Sequence, residues 1–224
     1  MLIEQDSNRW QRLLVSAVLF VVIAAMIYKN TMLIGTLDSV LQTLFTNNHP
    51  NAESGMKTFM KVVSFIASPK MDIFWTCLIA FLLWGFKYKI PALWSLCLVA
   101  GGDVLGAIAK HLVQRARPAQ HMSSDSGYSF PSGHTLGIFL VAAILLLLVI
   151  PLIQRAAIRV ICQLLVIFFV VLLAISRVYL YAHYPFDTIG AMLLGYAWVQ
   201  GAEYLYRALA PRLSSWRLVR NSYY

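Results

Sequence analysis

The sequence predicts an all-α fold, a polytopic membrane bundle of about six transmembrane helices with short interfacial helices after the first span. Three observations carry that expectation. Hydrophobic residues make up 60% of the 224 and charged residues only 12%, against about 45–50% and about 25% in soluble domains. The apolar residues fall into runs long enough to cross about 30 Å of hydrocarbon at about 20 residues each. Lys and Arg, which give a net charge of +9, sit mostly between those runs. A single membrane-embedded domain over residues 1–224 accommodates this many spans with short connections.

The first run, residues 13–28, follows Arg9 and Arg12. It is long for the apolar region of a signal peptide, and Tyr28-Lys29-Asn30 offers no small-residue cleavage site, so an uncleaved helix is expected. Residues 30–70 are mixed. Met32, Leu33, Leu37, Leu41 and Leu44 recur at helical spacing before Thr46-Asn47-Asn48-His49-Pro50-Asn51 interrupts them. This stretch reads as an outer interfacial segment of short helices joined by a polar turn. Apolar runs then follow at residues 71–86, 90–109, 135–153, 158–180 and 188–206.

With six spans, Arg9, Arg12, Lys87, Lys89, Arg155, Arg159, Arg207, Arg212, Arg217 and Arg220 share one side. The bias of Lys and Arg towards the cytoplasm places both termini inside a multi-pass cell-membrane protein. Lys29, Lys57, Lys61 and Lys70 lie on the other side, in the longer first connection. The basic excess shows no aromatic-interleaved stripe and no zinc-type spacing, so nucleic acid is not an expected partner. Membrane lipids with anionic headgroups account for it instead. Cys77, Cys97 and Cys162 lie inside apolar runs without a CxxC pair and read as packing or lipid-facing residues.

The chemistry lies on the opposite face. The third run ends at Lys110, followed by Arg115, Arg117 and Pro118, and the fourth begins after Pro131-Ser132-Gly133-His134. The fifth ends near Ser176-Arg177, and the sixth begins just past His183, at Pro185 and Asp187. Alternating spans therefore bring these groups to one side of the bilayer. Lys110, Arg117 and Arg177 suit the oxygens of a phosphate, Arg with a bidentate fork. Ser132-Gly133-His134 opens a helix whose first N–H groups face an anion, and Gly133 permits close approach. His183 and Asp187 are four apart in a segment where Pro185 starts a helix, so the carboxylate can fix the imidazole tautomer. His134 is placed to give a proton to a leaving oxygen.

Two accessory candidates stand beside them. Arg115 reads as a headgroup-facing cation that could also reach the second phosphate of a diphosphate. Asp103 lies seven residues before Lys110 on nearly the same helix face and is expected to support that lysine. His49, His111 and His121 are expected in loop or interface roles, and Trp75, Trp84 and Trp94 as anchors or packing residues. Of nine acidic residues, only Asp125 and Asp187 fall on the outer face of the segment 110–187. That is too few hard oxygen ligands for a two-metal phosphatase centre, so neither metal nor other cofactor is expected.

The same residues form three ordered motifs. Lys110 to Pro118 fits KxxxxxxRP, Pro131 to His134 is PSGH, and Ser176-Arg177 through His183 to Asp187 fits SRxxxxxHxxxD. On these motifs the chain resembles the type 2 phosphatidic acid phosphatase superfamily, which includes bacterial membrane phosphatases and vanadium haloperoxidases. The resemblance implies that His183 attacks phosphorus to form a phosphohistidine, that His134 protonates the leaving group and that Asp187 orients His183. It implies a phosphoryl site made by Lys110, Arg117, Ser132, Gly133 and Arg177, with water releasing the phosphate. One position departs: Tyr181 stands where the family often has Gly, two residues before the nucleophile.

The implied function is a lipid phosphatase acting on a lipid phosphate or diphosphate. Undecaprenyl diphosphate is favoured by the outward site and by Arg115; phosphatidylglycerol phosphate and phosphatidic acid are the alternatives. Phosphotransfer to a lipid or sugar hydroxyl would use the same site. Haloperoxidase chemistry fits poorly with spanning helices, and a transporter would need no His/Asp dyad.

Overall fold

The computed structural model describes residues 3, 6–46, 55–121 and 125–224. Residues 47–51 of the polar turn, His49 among them, lie outside the described residues. Every regular element among those described is helical: α1 (Arg9–Tyr28), α2 (Met32–Phe45), α3 (Gly55–Ile66), α4 (Pro69–Gly85), α5 (Lys89–Val113), α6 (Gly133–Ile144), α7 (Ala156–Tyr179) and α8 (Pro185–Leu213). Pro69 and Pro185 open α4 and α8, where the missing N–H costs nothing and φ is already helical. Helix α6 loosens through a π-turn at Leu145–Val149 into a 3-10 turn at Ile150–Leu152, where Pro151 ends the regular ladder.

The segment 30–70 contains two short helices, α2 and α3, and both turn polar side chains inward. Helix α2 buries Ile34, Asp38 and Gln42, spaced by four, while Met32, Leu33, Val40 and Leu44 are exposed. A soluble helix would face the other way; in lipid the apolar face belongs outside. Helix α7 repeats the pattern with Val160, Ile161, Leu164, Leu165 and Phe168 on its exposed face.

Among the described residues, four helices are long and apolar enough to cross a membrane: α1, α5, α6 with its extension to Leu152, and α7. Helices α3 and α4, bent by 50°, qualify together as a fifth. The expected six is therefore not reached on length and composition. Helix α4 has only 17 residues, and α8, though 29 residues long, carries Asp187, Gln200 and Glu203 on its buried side. Its acid is matched rather than absent, since Arg9 of α1 meets Glu203 at 2.6 Å.

Helix α6 occupies the middle, against α4, α5, α7 and α8. Leu136, Leu140, Ile144 and Leu148 join Leu98 of α5 and Val199 of α8 in the main core. A Cβ at Gly102 would come within 2.3 Å of Leu140, and one at Gly106 within 2.7 Å of Leu136. These glycines set the close approach of α5 to α6. Trp94 adds a tie by donating from Nε1 to the Ala202 carbonyl of α8 at 3.0 Å.

The tail folds against the α4–α5 turn. Tyr223 N–H donates to Lys87 O at 2.9 Å, and Ser222 Oγ accepts from Ile90 N–H at 3.0 Å. Helices α5 and α7 run away from that end and finish at the motif residues, where α6 and α8 begin. One end of the bundle thus holds the tail, and the other holds the chemistry.

Candidate active site

Helix α5 stops at Gln114, whose left-handed conformation (φ 52°) turns the chain back over the bundle and brings Arg115 and Arg117 inward. Lys110, one turn earlier, donates to the Tyr128 carbonyl at 3.1 Å and keeps two further hydrogens to give. Arg117 is held by backbone carbonyls on three sides: Nε to Gly127 at 3.0 Å, Nη1 to Ala182 at 2.7 Å and Nη2 to Ser126 at 2.8 Å. Its Nη1 also lies 3.4 Å from His183 Nε2. Arg177 enters from the last turn of α7, giving Nη1 to Ser64 Oγ at 2.5 Å and Nη2 to Asp125 at 3.0 Å. Its buried Nε has no hydrogen-bond partner among the described residues. These fixed cations with unused N–H groups are what an oxyanion would complete.

Ser132 caps α6, its hydroxyl accepting from Thr135 N–H at 3.4 Å and Thr135 Oγ1 at 3.0 Å. Its own hydroxyl hydrogen remains to be given, and its backbone N–H donates to the Asp187 carbonyl at 3.0 Å, pinning α6 beside α8. Gly133 follows as the first helical residue, and a Cβ there would meet no atom within 4 Å. The space before it is open. We therefore expect Gly133→Ala to fold with an unchanged melting temperature but to weaken inorganic phosphate binding. Losing one charge-assisted hydrogen bond, about 1.5–3 kcal/mol, weakens binding roughly tenfold or more. Unaltered phosphate affinity in calorimetry would remove Gly133 from the anion site.

His134 lies within electrostatic reach of Arg177, His183, Lys110 and Arg117, so side chains from all three motifs converge around it. His183 is 1% exposed and sits between α7 and α8. Its Nδ1 is 3.5 Å from Asp187 Oδ2, an ion-pair distance rather than a formed hydrogen bond. Such contacts tighten when charge develops. With Nδ1 turned to the carboxylate, Nε2 is the nitrogen on the Arg117 side. Burial lowers the His183 pKa to about 4, with Asp187 opposing the shift and Arg177 and Arg117 adding to it. The imidazole is therefore neutral at physiological pH and keeps a lone pair for attack.

Comparison with known proteins follows from this geometry. The PAP2 superfamily pattern matches residues 90–210. The chain belongs to the PAP2 superfamily. No curated protein sequence matches it. Among solved structures, the first transmembrane PAP2 type phosphatidylglycerolphosphate phosphatase from Bacillus subtilis superposes with a TM-score of 0.73 at 19% identity, over 92% of this chain and 99% of that one. Aquifex aeolicus LpxE superposes with a TM-score of 0.56 at 20% identity, over 77% of this chain and 95% of that one. At these identities the likeness is one of fold.

In this PAP2 chain Tyr181 has φ 57°. That left-handed conformation is cheapest for glycine, the residue the family resemblance implies at this position. The tyrosine fits because the turn after α7 is closed by other bonds, Ala182 and His183 N–H both donating to the Arg177 carbonyl at 3.0 and 3.2 Å.

Two sequence expectations change. Arg115 is not a free headgroup-facing cation: Nη1 lies 2.7 Å from Asp187 Oδ1 and Nη2 2.5 Å from Asp38 Oδ2. Burial opposes its charge, yet Asp187 and Asp38 overcome this and hold Arg115 above its ordinary pKa. Asp103 does not support Lys110, since seven residues of helix separate them by about 10 Å. It lies on the exposed side of α5, and among the described residues no hydrogen bond or ion pair joins the two. His111 packs edge-on to Tyr128 with ring centroids 6.1 Å apart, tying the end of α5 to Tyr128, and His121 Nδ1 approaches the Pro118 carbonyl at 2.7 Å, closing a local turn.

Three participants escaped the motifs: Asp38 on α2, Ser64 on α3 and Asp125 in the α5–α6 connection. Asp38 is the one charged residue on α2, and that is the signal that could have found it; Ser64 is one of several polar residues on α3 and gave none.

Proposed function

We propose that this PAP2 chain is a lipid phosphatase that works through a phosphohistidine at His183. The observation that carries this reading is the buried His183–Asp187 pair facing three cations, with the open start of α6 beside them. His183 Nε2 attacks phosphorus, forming the P–N bond as the bond to the lipid oxygen breaks. His134 gives its proton to that oxygen. Water then attacks phosphorus, returns a proton to His134 and frees phosphate from His183. Lys110, Arg117, Arg177, the Ser132 hydroxyl and the N–H groups at Gly133 and His134 hold the phosphoryl oxygens as charge moves.

The site lies at the end of the bundle opposite the basic tail, so we infer that both termini are cytoplasmic and that the site opens at the outer headgroup layer. The reading needs no metal. Asp187 and Asp38 are bound to Arg115 and Asp125 to Arg177, and carboxylates so neutralised are poor ligands for a hard cation. Undecaprenyl diphosphate stays the leading substrate on the outward site alone, because Arg115, with two carboxylates on it, no longer argues for a second phosphate. Phosphatidylglycerol phosphate, the substrate named for the Bacillus subtilis protein, and phosphatidic acid are the alternatives. The direct test is phosphate release by detergent-purified protein in excess EDTA on all three lipids. Release from a lipid without metal supports the proposal. Loss of all release on chelation, restored by a divalent ion, would overturn its metal-free form, and phosphorylated acceptor in place of free phosphate would make the enzyme a phosphotransferase.

The His183 pKa sets a further expectation. Only the neutral imidazole attacks, so protonation of His183 should cut kcat/KM with a midpoint near pH 4, after correction for the ionisation of the substrate. A midpoint near the ordinary histidine value of about 6.5 would show His183 solvated in the working enzyme.

A further inference from the structure

Asp38 lies outside the three motifs and outside the residues matched by the family pattern, yet it is among the most deeply buried charged groups in the protein, with a side chain 1% exposed. It sits on α2, a short helix whose remaining buried residues are Ile34 and Gln42. Asp38 Oδ2 accepts from Arg115 Nη2 at 2.5 Å, and Oδ1 accepts from the Phe186 N–H at the start of α8 at 2.9 Å. Arg115 Nη1 reaches Asp187 Oδ1 at 2.7 Å, and Tyr184 N–H donates to Asp187 Oδ2 at 2.9 Å. The Arg115 guanidinium also stacks 4.1 Å from the Tyr184 ring centroid. Each carboxylate oxygen thus has one fixed donor.

We propose that Asp38 and Arg115 position Asp187, and through it His183, so that helix α2 is part of the catalytic machinery. The proposal rests on the reading of His183 and Asp187 as the reacting pair. A carboxylate at a helix start can rotate about χ2. The Arg115 fork and the Tyr184 N–H stop that rotation and leave Oδ2 aimed at His183 Nδ1. Arg115 is itself fixed from behind by Asp38 and from one face by Tyr184. Charge follows the same order. Asp38, Arg115 and Asp187 together carry one negative charge, which the imidazolium character developing on His183 during attack neutralises. Neither Asp38 nor Arg115 touches His183, so both are positioning residues. Partners that orient a reacting ligand from behind are worth about 10- to 100-fold in activity.

The test is a comparison in two backgrounds. In the wild type, Arg115→Gln should lower kcat about 10- to 100-fold, with KM and inhibition by inorganic phosphate within about threefold, under half of the 1.4 kcal/mol that tenfold represents. In an Asp187→Asn background the same substitution should change kcat by less than about threefold, because the group it positions is already gone. Should Arg115→Gln fail to fold, Asp38→Asn, which keeps an acceptor for the Phe186 N–H, is compared in the same two backgrounds with the same expectation. Equal losses in both backgrounds, an unchanged kcat, or a raised KM with kcat kept would overturn the relay, the last by making Arg115 a substrate contact. His183→Ala run in the same assay separates the two layers: turnover by that variant would overturn the underlying assignment, whereas its inactivity beside a fully active Arg115→Gln would overturn the relay alone.

Discussion

His183→Ala should reduce turnover by about 10⁴-fold or more while leaving inorganic phosphate binding measurable. The magnitude follows from what the substitution removes. In the proposed mechanism His183 Nε2 forms the covalent bond, and without it water would have to attack phosphorus directly, with no positioned nucleophile. The cations stay. Lys110 remains on the Tyr128 carbonyl, Arg117 on Gly127, Ser126 and Ala182, and Arg177 on Ser64 and Asp125. None of these bonds runs through the imidazole, so the anion site should survive its loss. Wild-type turnover in a folded His183→Ala protein would remove His183 as nucleophile. Loss of phosphate binding together with turnover would instead show the cation cage to depend on the ring.

Asp187→Asn should cost up to about 10⁴-fold in kcat with little change in KM, as the isosteric change does in a hydrolase triad. The reason lies in the three donors around the carboxylate. Arg115, Tyr184 N–H and, across the 3.5 Å gap, His183 Nδ1 all point hydrogens at its oxygens. An amide supplies one oxygen and one NH2, so either a donor faces Arg115 or a donor faces His183 and stabilises the wrong tautomer. The fold should lose about 1 kcal/mol from the weakened start of α8, to be read from thermal unfolding beside the kinetics. Poor expression with normal specific activity would assign Asp187 to structure rather than catalysis.

Much of this site was legible because its parts are local patterns. Gly133 and His134 follow a capping serine, His183 and Asp187 are four apart across a helix-starting proline, and Lys110 and Arg117 bracket a helix end. Alternating apolar runs then assign all of them to one end of the bundle. What was not legible depends on contacts between segments far apart in the chain. Nothing in the spacing of α2 says that Asp38 meets Arg115, and nothing in α3 says that Ser64 holds Arg177. The rule that acids on membrane helices are functional points to Asp38, but it points equally to Asp103, which lies on the exposed face of α5. Burial separates the two, and burial is a property of the packed bundle. The span count shows the same limit. Helix α8 is long enough to cross, but the polar residues it buries against α1 lower its hydropathy below that of a lipid-exposed helix.

The most direct test of the account is to quench wild-type enzyme in base during turnover of a lipid substrate and map the phosphorylated residue by mass spectrometry. The account predicts an alkali-stable, acid-labile phosphohistidine at His183, absent from His183→Ala. A modification at His134, or turnover with no phosphoenzyme under conditions where its formation outpaces its hydrolysis, would contradict it.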